Sequence, residues 1–221
     1  MLVTCYYDIY NNPEKYNMYM ELFDILAKSG LPIILFVDPS SIVTSYESVN
    51  VIRVPLEELE LYSIASNGKE LPLIRNIEKD TKEYLALMNS KIEFIKRAAE
   101  LVQDDTFIWV DFGIFKLIQN PSDFINKLKY INENTYTNIT IPGCWDSGLP
   151  YSHDSVNWRF CGTLFIIPRR HIDSFYNHSK NILVGLSTLT WEVNVWNIVE
   201  KSIPNDITWY LADHNDSLLN L

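Results

Sequence analysis

Apolar positions along this chain follow two rhythms. Short runs, apolar but for Thr4 and Asp8, occur at residues 2–9, which read as a first strand, at residues 32–37, where Pro32 leads into Ile33-Ile34-Leu35-Phe36-Val37, and at Phe107-Ile108-Trp109-Val110. Continuous runs of this length suit strands covered on both faces of a sheet. Between them the spacing changes to threes and fours. Tyr84, Leu87, Met88, Ile92, Ile95, Ala99 and Val102 form one apolar stripe, which predicts a helix over residues 80–103. Asn12-Pro13 and Asn120-Pro121 carry helix-start signals, with proline at the first helical position, and Gly30 is a stop for a helix reaching residue 28.

The same reading predicts a short strand at 49–54, a helix at 55–65 and a turn at 66–69. It then gives extended segments at 138–141 and 160–167, helices at 169–181 and 190–202, and a last strand at 207–211. Strands and helices alternate through the first half. The expected fold is therefore α/β, a mixed, mainly parallel sheet with helices on both faces. Residues 143–157 have no period and read as a long polar and aromatic loop, a length often tied to function.

The 221 residues suit one domain. A net charge of -10 disfavours nucleic acid as the main partner. The cysteines Cys5, Cys144 and Cys161 are too few and too scattered for a disulfide framework, so a reducing compartment is expected. No basic segment followed by an apolar one opens the chain and no long apolar run crosses it, so no signal peptide and no transmembrane segment is expected. A soluble, cytoplasmic protein is the expectation. Its seven glycines form neither GxGxxG nor GxxxxGK[ST], and GxSxG and HExxH are missing. These gaps weigh against Rossmann dinucleotide enzymes, P-loop NTPases, α/β-hydrolases and zincins.

Candidate chemistry gathers at a few places. Asp111 ends the run 106–110 and stands where open α/β sheets deliver ligand-binding residues; the alternative is an acid that starts a turn before Gly113. Lys91 lies on or beside the apolar stripe, either reaching a diphosphate or packing its stem while its ammonium seeks water. Arg159, Arg169 and Arg170 flank residues 160–167, where Gly162 permits close backbone approach, and any of them could clamp a phosphate. Glu192 shares a helix face with Val195, Trp196 and Val199 and reads either as a general base or as a first-turn acid favoured by the helix dipole. Asp146, beside Trp145, is a rival base. Asp213-His214 could complete a divalent site with the distant Asp111, or lie on the surface.

The chain resembles the HtrL/YibB-like proteins and, beyond them, the GT-A glycosyltransferases. The resemblance rests on Met88-Asn89-Ser90-Lys91, on Phe107-Ile108-Trp109-Val110-Asp111-Phe112-Gly113, on Phe160-Cys161-Gly162-Thr163-Leu164-Phe165 and on Trp191-Glu192. It runs in order through most of the chain and is densest from about residue 84 to 200. It implies one GT-A-like catalytic domain over 1–221, with a nucleotide-binding half at 1–113 and a donor-sugar and acceptor half at 114–221. The implied activity is metal-assisted transfer of a sugar from a nucleoside diphosphate sugar, UDP-linked among the options, to a glycan or other hydroxyl acceptor. Asp111 would hold Mn2+ or Mg2+, with His214 completing the shell, although Gly113 stands where the family's second acid is expected. Tyr6, Tyr7 and Asp8 would cradle the nucleoside, Lys91 and Arg159 would face the diphosphate, and Gly162 would line the sugar. Glu192 or Asp146 would deprotonate the acceptor in an inverting mechanism. A noncatalytic carbohydrate- or nucleotide-binding protein with a degenerate metal site is the alternative, and a metal-dependent phosphoryl or nucleotidyl transferase a third.

Overall fold

The computed structural model describes residues 1–221. Strand β1 (Leu2–Tyr6) is followed by helix α1 (Pro13–Ala27), then by strands β2 (Ile33–Val37) and β3 (Val49–Arg53) with no helix between them, and then by helix α2 (Glu60–Ser66). Helices α3 (Lys82–Asn89) and α4 (Lys91–Leu101) follow, then β4 (Thr106–Val110) and α5 (Pro121–Glu133). The chain closes with β5 (Ile139–Gly143), β6 (Leu164–Pro168), α6 (Arg169–Gly185), α7 (Glu192–Ser202) and β7 (Ile207–Leu211).

The strands form one seven-stranded sheet in the order β3-β2-β1-β4-β6-β5-β7. All neighbours pair in parallel except β6, which runs antiparallel to both β4 and β5. This is the expected mixed, mainly parallel α/β sheet. Each face has its own core. One packs Phe94, Trp109, Phe165 and Trp196 among α2, α3, α4, α6 and α7. The other packs Phe23, Ile108, Phe112 and Phe124 against α1 and α5. Alternate residues of β4 feed opposite cores, as a strand's period of two requires: Phe107 and Trp109 go to the first, Ile108 and Val110 to the second.

Three predicted elements need correction. The stripe over residues 80–103 is two helices, because Ser90 breaks it at φ -85, ψ -2. Two polar side chains turn back on α3 at that point: Asn89 Nδ2 donates to Leu85 O and Ser90 Oγ to Ala86 O. Asn89 Nδ2 also donates to Thr190 O, fixing the break against the segment before α7. The apolar spacing survives a break of this kind, so periodicity alone could not show it. Residues 55–65 begin as a 3-10 turn, Leu56–Glu58, before α2. Only the second half of 160–167 is strand, since residues 160–163 lie outside β6.

Chain order leaves β1 by β2 and β3 on one side, then returns to β4 on its other side. The boundary between β1 and β4 is therefore a topological switch point. Open α/β sheets bind ligands at such a place, outside the carboxyl ends of the strands. Tyr7 and Asp8 follow β1, and Asp111 follows β4.

Candidate functional site

Asp111 is held in place by contacts within the chain. Its backbone N–H donates to Thr163 O at 2.9 Å, and its carbonyl accepts from Ile114 N at 3.0 Å, starting a turn. The residue thus starts a turn, as one of the two readings of the sequence has it. Residues 109 and 111 point to the same face of the strand, and Trp109 Nε1 donates to Asp111 Oδ1 at 2.7 Å. Lys91 Nζ lies 3.0 Å from the same oxygen. The Asp111 side chain keeps 28% of its exposure, so its second oxygen faces outward from a carboxylate whose first oxygen is pinned.

Lys91 does not snorkel. Its side chain is 1% exposed, and its ammonium donates to Gly162 O and Glu192 Oε1, both at 2.8 Å, while pairing with Asp111. An ammonium has three donors, and all three are used. Burial by itself would pull this group's pKa down. The charges of Asp111 and Glu192 outweigh that effect and hold it above the ordinary lysine value. The break at Ser90 makes this inward aim possible, because Lys91 opens a new helix instead of continuing the face of α3.

Glu192 is the first residue of α7 and its side chain is 7% exposed. Gly162 makes room for it: a methyl group on Gly162 would overlap Glu192 Oε1. The glycine is needed for a close approach by a carboxylate of the same chain. Lys91, Asp111 and Glu192 together carry one formal surplus negative charge, since one ammonium faces two carboxylates. Tyr84 belongs to the same neighbourhood. Burial raises its pKa first, and the charges of Glu192 and Asp111 raise it further.

The nucleoside candidates separate by exposure. Tyr7 is buried, donates from its hydroxyl to Val54 O at 2.8 Å and stacks on Phe94. Tyr6 is buried as well, its ring packed against Phe112, Tyr16 and Tyr19, so neither tyrosine offers the open ring face expected for stacking on a base. Asp8 is exposed and accepts from Asn12 N, so it is the freest of the three. Arg159 is committed elsewhere: its Nε and Nη2 grip Glu200, its Nη1 donates to Trp145 O, and its plane covers Trp209. Arg169 ties down the end of α4 through Ala99, Val102 and Asp104 carbonyls, and Arg170 donates to Thr137 O. Asp146 is exposed in the long loop and accepts from Ser147 N. His214 contacts Cys161, Asp213 and the Trp158 ring.

These placements bear on a hard divalent cation. Gly113 cannot be exchanged for a second acid without displacing Tyr19, whose ring occupies the space a side chain would take. Asp111 offers one outward oxygen, and His214 is grouped with two thiols. Mg2+ is often held by one or two carboxylates, with waters and phosphate oxygens completing the shell. The residues present fit such a cation through Asp111 alone. Two surface hollows, of about 300 Å³ beside Phe23 and Tyr46 and about 370 Å³ beside Met1 and Asn50, are lined by neither Asp111 nor Glu192.

Trp109, Tyr84 and Tyr19 were missed as contributors to the site. Alternation along the strand could have found Trp109, two residues before Asp111, and the stripe could have found Tyr84, seven before Lys91. Nothing local marks Tyr19, which reaches Gly113 from α1.

No protein-family model and no curated protein sequence matches the chain. Among solved structures, mouse xyloside xylosyltransferase 1 in its apo form aligns at TM-score 0.48 and 9% identity, over 96% of this chain and 84% of that one. A glycosyltransferase involved in glycosylation of the major capsid of PBCV-1 aligns at TM-score 0.49 and 12% identity, over 96% and 81%. The bifunctional IspDF of Campylobacter jejuni aligns at TM-score 0.40 and 10% identity, over 96% and 49%.

Proposed function

We propose that this protein is a glycosyltransferase that moves a hexosyl or pentosyl group from a nucleoside diphosphate sugar to a hydroxyl of a glycan or related acceptor. One observation carries the reading. A half-freed carboxylate, Asp111, stands directly after β4 at the switch point with β1, oriented by Trp109 and Lys91. The motif resemblance through residues 88–91, 107–113, 160–165 and 191–192 supports the same reading.

In this scheme the outward oxygen of Asp111 would hold Mn2+ or Mg2+, which when bound would neutralise charge on the departing diphosphate. Lys91 serves as a positioning residue, because its donors are used within the protein and fix the Asp111 carboxylate. Asp8 would meet the ribose or base edge beyond β1. Asp146 has the exposure an acceptor base needs. Glu192 would instead set the field around Lys91, unless its Oε2 reaches the acceptor.

The second reading is a noncatalytic nucleotide- or carbohydrate-binding protein. The Tyr19 ring against Gly113 and the commitment of Lys91 favour it. One experiment separates the two. The protein is incubated with a panel of nucleotide sugars with and without Mn2+, and thermal shift and nucleoside diphosphate release are both followed. Stabilisation with release supports the transferase, stabilisation without release in the presence of an acceptor library supports the binding protein, and neither effect rejects both.

A further inference from the structure

A second cluster of chemistry-bearing side chains lies along the same sheet edge, apart from the Lys91 triad. Cys144 follows β5, Asp213 and His214 follow β7, and Cys161 precedes β6. Because β5 and β7 are parallel and β6 antiparallel to β5, these ends meet at one edge. The ligand atoms of Cys144, Cys161 and His214 all lie within 4.8 Å of one another. Cys144 Sγ is 3.6 Å from Cys161 Sγ, and Cys161 Sγ is 3.8 Å from His214 Nδ1. Asp213 Oδ1 is 3.4 Å from Cys144 Sγ and 3.3 Å from His214 Nδ1.

The Cys144–Cys161 and Cys161–His214 separations are close to the edges of a tetrahedral zinc site, whereas Asp213 stands outside the group of three. With zinc bonds of ordinary length, sulfur–sulfur edges come to about 3.8 Å and sulfur–nitrogen edges to about 3.6 Å. Thiolate and imidazole are soft to borderline donors, suited to Zn2+ and poorly suited to Mg2+. We propose that Cys144, Cys161 and His214 bind one Zn2+ as a structural clasp, with the fourth position taken by water or by the Asp213 carboxylate after a side-chain rotation. The two thiols would release their protons to solvent on becoming ligands.

The position says what the clasp would hold. Cys144 and Cys161 bracket the long loop, and Asp213-His214 belongs to the C-terminal segment, so one ion would tie both loop ends to the last residues of the chain. The backbone already converges there: Cys161 N donates to Pro142 O, Ala212 N to Gly143 O and Cys144 N to Trp158 O. The His214 ring packs edge-on against Trp158. Cys144 and His214 are only partly buried, which leaves a path for an ion. This site does not depend on the sugar-transfer reading and could be present or absent under either function.

The test uses the full, tag-free chain, reduced and stripped of metal, titrated with Co2+ alone. The expected result is one Co2+ per chain, with thiolate-to-cobalt charge transfer and the strong visible bands of tetrahedral coordination, displaced by Zn2+. Cys144→Ser and His214→Ala, each checked for folding by circular dichroism, should weaken Co2+ binding by about tenfold or more. Should a variant fail to fold, the Zn2+-induced rise in thermal midpoint of the unmodified chain remains as the readout. The proposal is overturned if the folded, reduced protein shows no thiolate charge transfer with Co2+, or if both variants retain the full spectrum.

Discussion

Lys91 Nζ sits 2.8 Å from Glu192 Oε1, across 101 residues of sequence, with both side chains almost wholly buried. The same ammonium pairs with Asp111, so one cation joins the end of β4, the start of α4 and the start of α7. Such a pair need not be the source of stability, since desolvation offsets much of the attraction. Removing one member, however, leaves an uncompensated charge. Lys91→Met should therefore lower unfolding free energy by about 3 kcal/mol, read by urea denaturation. Adding Glu192→Gln should recover part of that loss. A loss under about 0.5 kcal/mol, the range of ordinary surface changes, would mean the triad is not intact in solution.

The sequence made much of this architecture readable, and the reasons are physical. Buried parallel strands must be apolar on both faces, so Ile33–Val37 and Thr106–Val110 stood out as continuous runs ending near their observed limits. Asn120-Pro121 marked the start of α5 because the Asn120 side chain caps Asp123 N and proline needs no partner at the first turn. The site was readable only in part. Asp111 and Glu192 were visible as acids beside apolar stretches, but their joining through Lys91 depends on a helix break that periodicity hides. Arg159 looked like a phosphate clamp because nothing local reveals Glu200, its partner 41 residues later. The two cysteines that bracket the loop gave no motif, since their closeness is made by the pairing of β5 with β6.

Gly162 should resist enlargement for a reason separate from backbone freedom. A methyl group there meets Glu192 Oε1, so Gly162→Ala must push the carboxylate away from Lys91. Overpacking of this kind typically costs about 1–3 kcal/mol. Combined with Glu192→Ala, the added methyl should cost little, giving a coupling measurable in a double-mutant cycle. Independent, additive losses would show that the glycine does not accommodate Glu192.

Alkaline pH should weaken the fold. Burial raises Cys5, with the charge of Asp111 adding to it, from an ordinary value of 9.0, and burial raises Tyr7 from 10.0. Lys91 is also held above its ordinary 10.5, despite its burial, by Asp111 and Glu192. Each group keeps its proton longer when folded than when unfolded. The stability it contributes is complete below the ordinary value and lost as pH climbs toward the folded one. These groups predict a thermal midpoint that is level from about pH 7.5 to about pH 9 and falls steadily above that. A midpoint that rises over the same alkaline range would contradict these assignments.

Arg159 tests whether cations near the loop serve structure or substrate. Its guanidinium grips Glu200 with two nitrogens while both side chains are largely buried. Arg159→Met should lower stability by about 3 kcal/mol by stranding Glu200, and Arg159→Met with Glu200→Leu should regain much of it. A variant of full stability but weakened nucleotide affinity would return Arg159 to the diphosphate.

In the proposed transferase the Asp111 carboxylate, oriented by Trp109 and Lys91, would engage the donor diphosphate through a bound Mn2+ or Mg2+. The most direct measurement is nucleoside diphosphate release and Mn2+-dependent donor binding for the unmodified protein and for Asp111→Asn, which keeps an oxygen for the Trp109 indole while removing the charge. The account predicts that the variant stays folded, loses release by about a hundredfold or more and loses the metal dependence of binding. Undiminished release or metal-dependent binding by Asp111→Asn would contradict it.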